Sequence, residues 1–199
     1  MKLFLLIWWI AICLPAAAQE SSFTKTNLPD ASSVEIPNSW KSTTKFNQNM
    51  DEQMEALLDG VDPRKLNLNP AQNKVQFLAA GRFNNKKASV MAVFIDTKDF
   101  GQNEMARLSE AEKNAVIQQL EQALTSMFKV KPKIAFEKIG DHHVIYSEAA
   151  FPAENRLLKI YQIPTGEKIV QFQFICTPDM NEIWNPIFLK IVRSYTFKK

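Results

Sequence analysis

Between Lys133 and Cys176 the chain offers four strand-like runs separated only by turn formers, and this crowding constrains the fold more than any other feature of the sequence. The runs are Lys133 to Lys138, Val144 to Phe151, Leu157 to Ile163 and Lys168 to Cys176. Between them lie Gly140 with Asp141, then Pro152 to Asn155, then Pro164, Thr165 and Gly166. Connections this short join antiparallel neighbours, because a parallel pair needs a crossover of about a dozen residues or more. A consecutive antiparallel meander is therefore expected. In its last member Val170, Phe172, Phe174 and Cys176 alternate with polar or flanking residues, which puts them together on one apolar face.

That apolar face needs a cover, and the helical patterns supply one. Met50, Met54, Leu57, Leu58 and Val61 form a stripe, with Asn49 and Glu52 as a capping-box-like start and Gly60 at the stop. A second helix opens with the capping box Ser109 to Glu112, carries Val116, Leu120, Ala123, Leu124, Met127 and Phe128 on one side, and ends at Lys131, Pro132 and Lys133. A third stripe comprises Trp184, Ile187, Phe188, Ile191, Val192 and Tyr195, with Asn185 read as its cap and Pro186 as its first residue. Val75 to Phe83 and Ala88 to Asp96 flank Asn84, Asn85, Lys86 and Lys87 and read as one more hairpin. The expected class is α+β: a mostly antiparallel sheet of about six to seven strands packed by three helices on one or both faces.

The front of the chain has a different character. Lys2 precedes an unbroken apolar run from Leu3 to Leu14, followed by Pro15 and the small residues Ala16, Ala17 and Ala18. This is the order of a secretory signal, and the run is shorter than the roughly 20 residues of a membrane-spanning helix. Residues 1–18 are therefore read as a signal peptide cut after Ala18, leaving no stable membrane insertion and a periplasmic or extracellular protein. Residues 19–33 are rich in Ser, Thr, Asn and Asp and read as a flexible leader. A single α+β domain is expected over 34–199, opening with Val34, Ile36 and Pro37 as a short edge strand, because proline cannot donate to a central ladder.

Charge and cysteine content exclude several classes. Loss of residues 1–18 removes one lysine and no acid, lowering the formal charge from +3 to +2 in a mature chain of 181 residues. Such a balance lacks the basic excess of nucleic-acid binders, and Arg193, Lys198 and Lys199 at the end suit a helix C-terminus. The chain has two cysteines, of which Cys13 leaves with the signal. Cys176 then has no partner for an intramolecular disulfide and reads as a core residue of its strand face.

Candidate chemistry is sparse. Asp141, His142 and His143 form an Asp-His-His triplet, but adjacent residues on a strand point to opposite faces, so only Asp141 and His143 could share a site. Two ligands fall short of the three or four a zinc site needs, and Asp141 after Gly140 reads as a turn residue. The sequence has no G-x-S-x-G elbow, no H-E-x-x-H and no glycine-rich phosphate loop. Glu148 and Glu154 could pair as carboxylates, yet nothing in their spacing brings them together, and they read as solvated charges. The fourteen phenylalanines suit a sheet–helix core, although a ligand cavity would use the same residue type.

Taken as an order of elements, the chain resembles the PsbP-like α/β/α sandwich family. The likeness rests on Val34-Glu35-Ile36-Pro37 with Trp40, on the hairpin from Leu158 to Cys176 across Thr165-Gly166, and on the closing Ile191-Val192-Arg193-Ser194-Tyr195. It implies a binding or assembly-accessory domain without a conserved catalytic site, and no functional residue of the family has a match here. The expectation is thus a non-enzymatic, monomeric, exported domain with no cofactor that binds another envelope protein. The alternative is a small-molecule or lipid carrier with an apolar cavity between sheet and helices.

Overall fold

Alternation within Gly166–Cys176 builds the central strand of the molecule: Val170, Phe172, Phe174 and Cys176 are apolar and buried while the residues between them stay half-exposed. The structure is a computed structural model and describes residues 22–44 and 75–197. The strands are β1 (Phe23–Asn27), β2 (Ser33–Pro37), β3 (Lys41–Thr43), β4 (Val75–Phe83), β5 (Lys86–Phe100), β6 (Lys133–Ile139), β7 (His142–Phe151), β8 (Arg156–Pro164) and β9 (Gly166–Cys176). The helices are α1 (Gln102–Arg107), α2 (Glu110–Phe128) and α3 (Asn181–Ser194), with 3-10 turns at Pro152–Glu154 and Pro178–Met180. Seven strands form one sheet in the order β3-β4-β5-β9-β8-β7-β6, and every pairing is antiparallel. The expected α+β class and the meander from β6 to β9 are both present.

Each face of the sheet has its own cover. On one face Val90, Tyr161, Phe172 and Phe174 meet Trp184, Phe188, Ile191 and Val192 of α3. On the other, Ala149, Phe151, Leu158 and Ile160 form a smaller cluster with Phe128 from the end of α2. Leu157 and Leu158 are consecutive and belong to different clusters, as the pleat of a two-sided sheet requires. Ser109 caps α2 as expected: its hydroxyl accepts from the Glu112 N–H at 3.3 Å, and Glu112 accepts from the Ser109 N–H at 2.8 Å.

Four expectations are changed. Residues 23–33 are not a flexible leader: β1 pairs in register with β2, from Phe23 opposite Pro37 to Asn27 opposite Ser33, as a separate two-stranded ribbon. Leu28 is buried in the core, Phe23 packs against it, and polar contacts fix the rest of the segment. Lys168 Nζ lies 2.8 Å from Asp30 Oδ2, and Ser33 exchanges backbone hydrogen bonds with Thr196 at 2.9 and 2.8 Å. Burial pushes the Asp30 carboxyl up, but hydrogen bonds from Lys168 and Ser32 outweigh it and hold the group below its ordinary value.

The closing helix begins at Asn181, not at Pro186, so Asn185 lies inside it and not at its cap. A proline inside a helix costs about 3 kcal/mol. Burying an indole of ~200 Å² at ~25 cal/mol per Å² returns about 5 kcal/mol, so seating Trp184 on the preceding turn wins. Trp184 is in fact 1% exposed. The second hairpin is longer than its apolar pattern, with β5 running on to Phe100, and α1 was not expected at all. The expected helix over Met50 to Val61 and the signal at 1–18 lie outside the described residues.

The ring of Trp40, 4% exposed, packs edge-on to Trp184 at 5.8 Å and lies close against β4 at Gly81. A Cβ at Gly81 would fall 2.3 Å from Trp40 Cδ1, so the buried indole would have to shift. Gly81→Ala is expected to lower stability by about 2 kcal/mol in urea denaturation, with the slope of the transition unchanged. A loss under about 0.5 kcal/mol, the range of neutral surface changes, would show that the indole does not hold this position.

Candidate functional site

A lysine in the interior is the least expected side chain of the sheet. Lys159 stands between Leu157 and Tyr161 on β8, on the face that α3 covers, and its side chain is 4% exposed. Its ammonium donates to Asn185 Oδ1 at 2.6 Å and lies 3.4 Å from Glu148 Oε2. Glu148 sits opposite Lys159 in the β7–β8 ladder, and it also accepts a hydrogen bond from the hydroxyl of Tyr146 two residues earlier on the same face. Burial, reinforced by this hydrogen bond to a carboxylate, pushes the Tyr146 phenol far up; burial and the charges of Glu137 and Glu148 raise Tyr161.

This constellation escaped the sequence reading, which took Glu148 as solvated. The signal was present: a lysine at an inward position of an alternating strand requires a buried partner. The contacts of this constellation fasten elements to one another. Both tyrosines stay protonated donors through the physiological range, and the ammonium is engaged by one neutral and one anionic acceptor. The network ties α3 to β7 and β8.

The triplet at the β6–β7 turn is taken apart by the strand pleat. Gly140 adopts φ 61° and Asp141 is exposed in the turn. His142 is buried on the α3 face, where its Nε2–H donates to the Tyr195 carbonyl at 2.8 Å. His143 points to the other face, and its backbone N–H donates to Gln102 Oε1 at 2.6 Å. Gln102 also donates from Nε2 to the carbonyls of His143 at 3.1 Å and Pro164 at 2.9 Å, closing the end of the β7–β8 ladder beyond Ile145 and Gln162. No group of three or more potential metal ligands occurs among the described residues.

Cys176 is a free, buried thiol whose pKa burial pushes up to about 11, so it packs as a small apolar residue of β9. Glu154 lies in the turn after β7 and pairs with Arg156 at 2.7 Å. It shares no partner with Glu148.

Helix α2 presents a different kind of surface. None of its 19 residues is buried, and Met127 is 69% exposed, while the helix is anchored at its end by Phe128 against Phe151 with ring centroids 5.7 Å apart. No helix among the described residues is long and apolar enough to cross a membrane.

With this geometry in view, two solved structures are similar in fold. The solution structure of cyanobacterial PsbP (CyanoP) from Synechocystis sp. PCC 6803 superposes with a TM-score of 0.48 at 10% identity, covering 89% of this chain and 93% of that one. A crystal structure from Bacteroides thetaiotaomicron VPI-5482 gives a TM-score of 0.49 at 13% identity over 88% of this chain, which spans 48% of that protein. No family profile matches the chain, and no curated protein matches it in sequence.

The fastening role of the network has a measurable order of effects. Asn185→Ala leaves a buried ammonium short of its 2.6 Å acceptor and is expected to cost about 2 kcal/mol in denaturant unfolding. Lys159→Met fills the same space without a charge, while Glu148, with its side chain 30% exposed, keeps Tyr146 and gains water, so a cost below about 1 kcal/mol is expected. The reverse order would contradict the reading of Lys159 as a structural cation.

Proposed function

We propose that the protein is an exported, non-enzymatic accessory domain of the cell envelope that acts by binding another envelope protein. The observation that carries this reading is the contrast between the two sides of the molecule. Toward α3, the polar side chains of the sheet are engaged, Lys159 with Asn185 and Glu148, Tyr146 with Glu148, and His142 with Tyr195, while the indole N–H groups of Trp40 and Trp184 are buried without a partner. Toward α2, a stable capped helix keeps Val116, Leu120 and Leu124 only half-buried and leaves Met127 in solvent. An apolar helical side left partly open is a surface a protein partner can cover. The apolar run over Leu3 to Leu14 with Ala16 to Ala18 behind it supports export to the periplasm or beyond.

The carrier alternative has less support. The rings between α3 and the sheet meet one another, with Phe174 and Phe188 centroids 4.5 Å apart and Tyr161 and Phe174 at 5.5 Å, which is core packing and not the lining of a space held open for cargo.

A photo-crosslinker placed at Met127 tests the reading in native envelope fractions. The expected outcome is a chain starting at Gln19, crosslinked to a heavier species of different sequence. Recovery of the protein consistently alone, or with an intact N-terminus at Met1, would contradict it; a co-purifying small mass in native mass spectrometry would favour the carrier.

A further inference from the structure

The seven-stranded sheet ends at β6, whose only strand neighbour among the described residues is β7. A two-residue turn, Gly140-Asp141, closes the β6–β7 hairpin on the pair Ile139 and His142. In such a hairpin the closing pair exchanges N–H···O=C bonds, and so does every second pair behind it. The inward-bonded residues of β6 are therefore Ile139, Glu137, Ala135 and Lys133, paired with His142, Val144, Tyr146 and Glu148. The backbone groups of Ile134, Phe136 and Lys138 point away from the sheet.

We infer that this edge is a self-complementary interface, and that a second copy of the chain adds its own β6 antiparallel to it about a two-fold axis through Phe136. The alternation fixes the register. With Phe136 opposite its own copy, Ile134 lies opposite the second copy's Lys138, and all three positions present their outward N–H and C=O groups to one another. Side chains directly opposite in such a pair share a face, so the aromatic rings of the two Phe136 residues, half-buried in the single chain, meet across the axis. On the other face Lys133 of each copy lies diagonal to Glu137 of the second, and both side chains are exposed and of opposite charge. An edge strand is commonly defended by lysine against such pairing. Here Glu137 answers one of the two lysines, and β6 contains no proline. The pairing departs from the monomer expected from the sequence, and it does not depend on the envelope partner proposed above.

Sedimentation velocity of the purified protein from low to high micromolar concentration is the test. The expected result is a reversible monomer–dimer equilibrium. Lys138→Pro removes an outward N–H from an exposed position while leaving the β6–β7 hydrogen bonds in place, so it should weaken the dimer about tenfold or more, the circular dichroism and unfolding midpoint remaining those of the parent. Glu137→Lys sets like charges on the diagonal and should also weaken it; this second variant decides the matter if the proline variant does not fold. A protein that stays monomeric at every concentration overturns the inference, as does a dimer that a folded Lys138→Pro variant leaves intact. Either result leaves crosslinking at Met127 to a protein of different sequence unaffected.

Discussion

The seam of aromatic rings between α3 and the sheet is the contact on which the other parts of the molecule depend. Phe188 lies 4.5 Å from Phe174, Trp184 stacks at 6.5 Å on Phe188, and Tyr195 meets Phe172 edge-on at 5.4 Å. The peripheral pieces attach to these same residues. Trp40 rests on Trp184, His142 donates to the carbonyl of Tyr195, and the β1–β2 ribbon is hung from Ser194 and Thr196 at the end of the helix. Cys176 is a free thiol within this layer, so packing and not a crosslink of that residue holds the helix down. Removing a large side chain from such a layer costs both its transfer energy and a cavity.

Polar residues inside the sheet follow from the same constraint. A lysine on β8 is tolerable beneath α3 because the helix delivers Asn185 to it and β7 delivers Glu148. The early start of α3, which places Pro186 inside the helix, is what brings Asn185 over the sheet. Backbone groups at the end of the β7–β8 ladder are met in like manner by the single amide of Gln102. Lys159, Glu148, Tyr146, His142 and Gln102 thus join helices to the sheet, and the binding role is proposed for surfaces outside this layer. This division is the physical content of the binding role proposed for the protein.

Elements with a strong local signature were legible in advance. The alternation of Val170, Phe172, Phe174 and Cys176, the capping box Ser109 to Glu112 and the Gly140-Asp141 turn each state their geometry within a few residues, and the α+β meander follows from them. Strand β1 was not legible, although β2 was, because what fixes it, pairing with β2 and the contacts of the intervening turn to Lys168 and Thr196, lies outside its own five residues, of which only Phe23 is apolar. For the closing helix, local preference for proline at a first turn lost to the tertiary burial of Trp184. At the candidate site, the split of His142 from His143 could be read from the strand period, but the meeting of Lys159 with Asn185 joins β8 to α3 across 26 positions and has no local trace. Lys159 at an inward position said only that some partner was needed.

The claim that the α3 seam organises the molecule is tested most directly by Phe188→Ala, followed in denaturant by tryptophan fluorescence and far-ultraviolet circular dichroism together. The account predicts one coincident transition with stability lowered by about 4 kcal/mol, since the ring is fully buried against Phe174 and Trp184. A loss below about 1 kcal/mol, or a fluorescence change that precedes unfolding of an intact sheet, would contradict it.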